Sequence, residues 1–348
     1  MTAIVYSEDY QKHETGNHPE NKERTQVIIK AIKEMDAGQN GIFEPEMAGE
    51  DDLLRVHSPE HVAKIKAFCQ QGGGYLDFDT MASPQTYQIA KLSAGGAIKA
   101  AKLVLEGEKS AYSIGRPPGH HATRDRAMGF CFFNNLAVVL KYLREVYNIK
   151  KFFIFDFDVH YGNGTAEIFY EDPQVLYISI HQDPRTIFPG SGFIEEIGRG
   201  EAEGRNLNIP LPPGSNTSDY IYILENILKP VADKFKADFY LVDVGFDGHQ
   251  DDPLSSINLN DDFYQWVAME MMEITPSLAL ILEGGYDLSA LYRCNQKLIN
   301  GLNANINFED GNIKENKSNL KQRNQKVHRE TKDLLNEIKK IFSPFYEF

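Results

Sequence analysis

Apolar residues recur along this chain in two rhythms, and the two alternate. From Pro84 to Glu106, small and apolar residues fall at helical spacing (Ile89, Leu92, Ala97, Ala100, Leu103), and Gly107 stands at the expected stop. The same spacing predicts helices over about Lys22 to Met35, Asn134 to Val146, Ser218 to Phe235, Asp261 to Met272 and Leu288 to Asn300. Between them lie short, near-continuously apolar runs: Ala111 to Ile114, Phe152 to Asp158, Val175 to Ile180, Phe239 to Val244 and Leu278 to Leu282. Runs of that kind fit strands buried on both faces. With no repeat at a solenoid period, this alternation predicts an α/β chain: one open, mostly parallel sheet flanked by helices on both faces.

The last four strand candidates each end in a polar cluster. These are Asp158-Val-His160, His181-Gln-Asp183, Gly245-Phe-Asp247-Gly-His249 and Glu283-Gly-Gly-Tyr286. In open α/β sheets ligands bind beyond the carboxyl ends of the strands, so residues far apart in sequence are expected to converge there. After about Ala304 the chain changes character, with Asn, Lys and Glu replacing apolar residues until a helix-like Thr331 to Phe342. The reading is one main domain over 1–303 and, over 304–348, a charged linker with a C-terminal helix docked on the same domain. Lys and Arg in that tail are interleaved with Glu and Asp, which argues against a nucleic-acid-binding arm.

Composition narrows the class. Among 348 residues, 42% are hydrophobic and 25% charged, which supplies a globular core. Fifty acidic and thirty-six basic residues leave a net charge of −14, so the surface should repel nucleic acid and anionic membranes while leaving basic substrates open. The longest apolar run, Ile274 to Leu282, contains Thr275, Pro276 and Ser277 and falls far short of the roughly 20 residues a membrane span needs. Met1 to Tyr6 lacks the pattern of a signal peptide, and Cys69, Cys131 and Cys294 are too few and scattered for a disulfide framework. The expectation is a cytoplasmic chain without membrane or nucleic-acid partners, free to assemble as a homo-oligomer.

In FFIFDFDVH, Asp156, Asp158 and His160 occupy alternate positions and would share one face if the strand continued. Unpaired ions at an apolar strand end cost several kcal/mol each, on the order given for desolvated charge, so a cation is the natural neutraliser. The aspartates could instead cap the following helix, and D-x-D also occurs in magnesium phosphotransferases. Asp247, in VGFDGHQDDPL, could be a third ligand or an aspartate in a simple turn. Two carboxylates, one imidazole and an open position compose a catalytic zinc site, with ferrous iron as second choice. Arg116-Pro-Pro-Gly-His120-His121 joins rigid backbone to paired histidines, and Glu283-Gly-Gly-Tyr286 places a phenol at a strand end. Each has a plain alternative, a satisfied turn or a packed tyrosine. Together they suit hydrolysis of an unactivated amide: a metal to polarise the carbonyl, an imidazole to take a water proton, a phenol for the oxyanion.

In this order, RPPGHHA, GFCFFNN, DFDVHYGNGT, FPGSG, GFDGHxxDPL and EGGY resemble the histone deacetylase and acetylpolyamine amidohydrolase superfamily. The likeness runs from about Tyr6 to Asn300, and its RPPGHH and MGFCFFNN forms are closer to class II and prokaryotic members than to class I. It implies an arginase/deacetylase-like fold with Asp158, His160 and Asp247 as zinc ligands. His121 would be the general base and acid, His120 its electrostatic partner, and Tyr286 the oxyanion-stabilising tyrosine. Asp156 would orient His120 and, with Asp158, His160, Ser179 and Ile180, bind a structural potassium ion. Phe130 and Phe188 would wall the acyl-lysine tunnel, and the Gly129 carbonyl would meet the substrate amide.

Departures from the family pattern carry information. At Asn163, class I members have an aspartate that orients the second histidine; an uncharged amide there should tune His121 to lower basicity. At Leu254, near the tunnel mouth, polyamine-specific relatives can present an acid, and a leucine cannot pair with a distal ammonium. Asp79 is a candidate for holding the substrate backbone. The resemblance therefore implies removal of acetyl or a related acyl group from a lysine-like amine, with acetate as second product. The alternatives are an acetylpolyamine or other small N-acyl-amine deacetylase, and a non-catalytic acyl-lysine binder. A magnesium phosphohydrolase would need more basic groups than Arg116.

Overall fold

A computed structural model describes residues 1–35, 41–304 and 326–348. The strands are β1 (Ala3–Val5), β2 (Ile42–Phe43), β3 (Gly74–Tyr75), β4 (Met81–Ala82), β5 (Ser110–Ser113), β6 (Phe152–Asp156), β7 (Val175–Gln182), β8 (Asn206–Leu211), β9 (Phe239–Val244) and β10 (Leu278–Leu282). The helices are α1 (Glu23–Met35), α2 (Glu50–Leu54), α3 (Pro59–Gln70), α4 (Thr86–Leu105), α5 (Asn135–Val146), α6 (Asn163–Phe169), α7 (Thr217–Phe235), α8 (Asp261–Ile274), α9 (Leu288–Asn303) and α10 (Arg329–Phe342). Eight strands form one sheet in the order β2-β1-β5-β10-β9-β6-β7-β8, and every pairing in it is parallel. β3 and β4 form a separate antiparallel hairpin.

Alternate residues of each central strand enter opposite cores, as a two-residue period requires. Phe153, Phe155, Ile178, Val242 and Leu280 pack with α1, α7, α8 and α9. Phe152, Ile154, Tyr177, Leu241 and Ile281 pack on the other face with α4 and α5. That double burial explains why these strands lack polar alternation. No helix among the described residues is long and apolar enough to cross a membrane.

The six internal helices predicted from spacing are all present, with ends shifted by a few residues. The strands differ more. β6 stops at Asp156 instead of Asp158 because side chains take over from the ladder: Asp158 N–H donates to Asp156 Oδ1 at 3.0 Å and His160 N–H to Asp158 Oδ1 at 2.9 Å. Asp156, Asp158 and His160 therefore do not share a strand face; the backbone curls beyond Asp156. β7 runs to Gln182, past the expected Ile180, because β8 pairs with it as far as Gln182 and Leu211. β8 itself escaped the apolar pattern. Its Asn206 and Asn208 are buried, their amides bonded to backbone carbonyls of Glu196 and Phe193.

Of the tail, residues 305–325, most of the predicted linker, lie outside the described residues. α10 lies along α7 and β8, with Leu335, Ile338 and Phe342 buried. Asp219 accepts from His328 N–H and Thr331 Oγ1, both at 2.8 Å, and Tyr346 Oη donates to Gly204 O at 2.8 Å. The tail helix thus covers the outer strand, whose exposed edge would otherwise invite pairing with other chains. Phe342→Ala is expected to lower stability by about 3–5 kcal/mol, the usual cost of emptying a buried aromatic site. A urea titration checks it; an unchanged midpoint would mean that α10 contributes no packing.

Candidate metal centre and catalytic cleft

The carboxyl ends of β5, β10, β9 and β6 lie side by side, and the segments following them bring one group of side chains together. The segment after β5 is anchored by buried hydrogen bonds. Arg116, fully buried, donates to both carboxylate oxygens of Glu20 at 2.8 and 2.7 Å and to His13 O at 2.6 Å. Ser93 Oγ and Asn135 Nδ2 donate to Pro117 O. This rigid arm delivers His120 and His121, whose ring centroids are 4.0 Å apart.

Each imidazole has its own partner. His120 Nδ1 lies 3.1 Å from Asp156 Oδ2, which also accepts from Tyr177 Oη at 2.8 Å. His121 Nδ1 lies 2.8 Å from Asn163 Oδ1 at the start of α6. An amide oxygen is only an acceptor, so Nδ1 carries the proton and Nε2 keeps its lone pair. Gly162 leaves space for this arrangement: a Cβ there would meet Asp156 Oδ2 and Tyr177 Oη at 2.4 Å.

Asp158, His160 and Asp247 each turn one donor atom toward the others, all within 4.8 Å. His160 Nδ1 is 3.2 Å from Asp158 Oδ1 and 3.1 Å from Asp247 Oδ2. Backbone fixes the carboxylates: Val159 N–H donates to Asp247 Oδ1 at 3.0 Å and Gly284 N–H to Asp158 Oδ2 at 2.7 Å. At Gly284 a Cβ would stand 2.0 Å from Asp247 Oδ2, so only glycine fits against the cluster.

Negative charge exceeds positive here. Asp156, Asp158, Asp243, Asp247 and Glu283 are all fully buried. Burial pushes Asp247 up, reinforced by Asp158, and pushes Asp243 well up, reinforced by Glu283. Both oxygens of Asp243 and Oε1 of Glu283 have no hydrogen-bond partner among the described residues. Burial would lower His120, yet Asp158, Asp156 and Glu283 carry it well above an ordinary histidine. Burial takes His121 the other way, well below, with His120 and His160 adding to the effect. An open three-sided cradle of two carboxylates and one imidazole, inside surplus negative charge, fits a divalent cation such as zinc.

A second group, His249, Asp261 and Cys294, also lies within ligating reach. Arg293 Nε occupies Asp261 Oδ2 at 2.9 Å, and His249 Nε2 lies 2.9 Å from Asp261 Oδ1. Both oxygens of Asp261 are thus already engaged, one of them by the Arg293 cation.

Aromatic rings frame the approach. Phe188 packs edge-on against His121 at 4.9 Å, and Phe130 against Tyr286 at 5.8 Å. Gly129 and Phe130 both take positive φ, 55° and 69°. For phenylalanine this is a strained backbone, which costs of order 1–3 kcal/mol and is found where function demands it. Tyr286 lies under the Arg24 guanidinium, 5.0 Å from the ring centroid. Burial drives its phenol well above 10 despite Arg24, so it stays a proton donor at neutral pH.

The remaining predicted residues lie around this centre. Leu254 is half-buried, its N–H bonded to Asp252 Oδ1 at 3.0 Å. Asp79 belongs to the β3–β4 hairpin; its carbonyl lies 2.9 Å from His18 Nε2, and the His18 ring meets Phe130. Ser179 pairs in register with Asp156, its hydroxyl 2.8 Å from His181 Nδ1, and Ile180 is fully buried. Spacing missed Arg24, Asp252 and the side-chain role of Glu283. Glu283 Oε2 accepts from Gly119 N–H at 2.7 Å and His120 N–H at 3.0 Å, and Arg24 donates to Glu283 O and, at 2.6 Å, to Gly285 O. An acid opening a strand-end EGGY is a visible signal; Arg24, on a helix near the N-terminus, leaves none.

Known proteins similar to this chain include deacetylases. The histone deacetylase domain matches residues 18–302. A protein described as a probable deacetylase from Methanothermobacter thermautotrophicus is 48% identical over 300 residues, 86% of this chain and 90% of its own length. The histone deacetylase-like amidohydrolase of Pseudomonas aeruginosa is 38% identical over 261 residues, covering 73% and 68%. The crystal structure of the HDA15 HD domain superposes with a TM-score of 0.88 at 28% identity, over 99% of this chain and 95% of that one.

Proposed function

The chain belongs to the histone deacetylase family, and on that premise we propose that it is a zinc-dependent amidohydrolase that removes an acetyl or related acyl group from a lysine-like primary amine. The observation that carries this reading is the convergence of Asp158, His160 and Asp247 beside an imidazole whose Nδ1 is committed to Asn163 and whose Nε2 makes no hydrogen bond among the described residues. Asp158, His160 and Asp247 would hold the ion, zinc first and ferrous iron second. When bound, such an ion polarises the substrate carbonyl and makes water more acidic.

The chain's own groups do the rest. His121 Nε2 takes a proton from water as the oxygen adds to the amide carbon. The Tyr286 hydroxyl donates to the oxygen that gains negative charge. His121 then returns the proton to the amine nitrogen as the C–N bond breaks, leaving acetate and a free amine. His120, held cationic by Asp158 and Asp156, adds positive charge close by. Phe130 and Phe188 would receive an apolar methylene chain between their rings, with Gly129, Leu254 and Asp79 bordering the substrate. A monovalent cation such as potassium among Asp156, Asp158, His160, Ser179 and Ile180 would offset part of the remaining buried charge.

Leu254 favours a lysine side chain over a polyamine, since it offers no charge to a distal ammonium. The test is turnover of an acetyl-lysine peptide and of N-acetylputrescine by the zinc-loaded protein. We expect kcat/KM to favour the peptide by about tenfold or more, the ratio that defines specificity. A reversed preference would assign the polyamine reading. No release of acetate from either would leave the non-catalytic binder.

A further inference from the structure

We propose that Asp252 is a positioning residue for the Tyr286 hydroxyl, acting through the backbone. The proposal rests on the reading of Tyr286 as oxyanion donor. Asp252 lies between Asp247 and Leu254 in the connection from β9 to α8, and the residue is 7% exposed. Oδ2 accepts from Tyr286 N–H at 2.6 Å and from Asp287 N–H at 3.2 Å. Oδ1 accepts from Leu254 N–H at 3.0 Å.

The Tyr286 segment is otherwise tied on either side. Gly284 N–H goes to Asp158 Oδ2, Gly285 O accepts from Arg24 Nε, and Asp287 Oδ1 caps α9 through Ala290 N–H at 2.7 Å. Gly285, at φ 116°, adds no side chain to stiffen the turn. Tyr286 N–H is the main-chain donor of the tyrosine itself, and Asp252 takes it. The same carboxylate fixes the backbone of Leu254 at the cleft border. One side chain therefore sets the register between the segment bearing Asp247 and the segment bearing the phenol.

Three N–H donors converge on two oxygens, so both oxygens of the side chain serve as acceptors. An asparagine presents one acceptor and turns its own N–H groups against at least one backbone donor. The phenol would keep its chemistry and lose its place. Misplacement by about 1 Å costs on the order of 10²-fold in rate.

The experiment compares wild type, Asp252→Asn, Tyr286→Phe and the double variant, all zinc-loaded. Asp252→Asn should lower kcat about 10–100-fold, as expected for a misplaced group, while KM and bound zinc stay at wild-type values. In the Tyr286→Phe background it should cost nothing further, because the group it positions is gone. An equal loss in both backgrounds, a loss of zinc, or a wild-type kcat would overturn the proposal. Amide hydrogen exchange at Tyr286 and Asp287 should accelerate in Asp252→Asn, and unchanged protection would also overturn it. That measurement needs no substrate, so it stands even if the wild type releases no acetate and the amidohydrolase reading fails. Asp252→Ser, which also removes the carboxylate, serves the same comparisons if the asparagine variant does not fold.

Discussion

Asp247→Asn is expected to remove the bound divalent ion and to lower turnover by about 10³-fold or more, since a Lewis acid contributes several kcal/mol to charge stabilisation. The substitution keeps shape and keeps an oxygen for Val159 N–H, but it removes the charge that faces His160. Folding should survive it. In the metal-free chain Asp247 is pushed up by burial and by Asp158, so removing its charge relieves a repulsion. The metal-free variant should therefore melt no lower than the metal-free wild type. Zinc at about 1,000 times its Kd should stabilise wild type by about 4 kcal/mol and leave the variant's melting temperature unmoved. Metal analysis, calorimetry and an acetate-release assay read the three consequences. A variant that keeps stoichiometric zinc and full activity would remove Asp247 from the site.

The architecture was legible because its cause is periodic. A strand buried on both faces is near-continuously apolar, and β9, apart from Asp243, and β10 coincide with their apolar runs to the residue. Where side-chain hydrogen bonds replace that pattern, the reading failed. β8 hides two asparagines whose amides serve the neighbouring loop, and β6 ends where the Asp156 and Asp158 carboxylates begin to accept backbone N–H groups. β1 and β2, of three and two residues, are too short to show a period. α3 is marked in the sequence by little more than its Ser58 cap and Pro59. For the site, the sequence marked the side chains that point at the reacting atoms, because their types are chemically unusual. It was silent on residues that hold backbone. Arg24 and Asp252 do their work through Gly285 O and Tyr286 N–H, contacts that exist only after distant segments meet.

His121→Ala should lower kcat by about 10²–10⁴-fold, the usual share of a general base, with zinc content unchanged. The assignment to His121 rather than His120 follows from how their surroundings separate them. Two imidazoles with centroids 4.0 Å apart resist holding two positive charges. Burial disfavours charge on both, but Asp158, Asp156 and Glu283 gather on His120 and hold it protonated. His121 receives only an uncharged amide from Asn163, and burial, with His120 and His160, keeps it neutral. One partner is thus a fixed cation and the other a free base. Asn163→Asp changes that balance in a direction that can be stated. A carboxylate at Nδ1 favours the charged imidazole and raises the His121 pKa. A base works when deprotonated, so the acid limb of the kcat/KM profile should move to higher pH, while the limb set by other groups stays. If the acid limb stays in place or moves to lower pH, a different group takes the water proton, and Asp156→Asn, which removes the charge paired with His120, becomes the variant to compare.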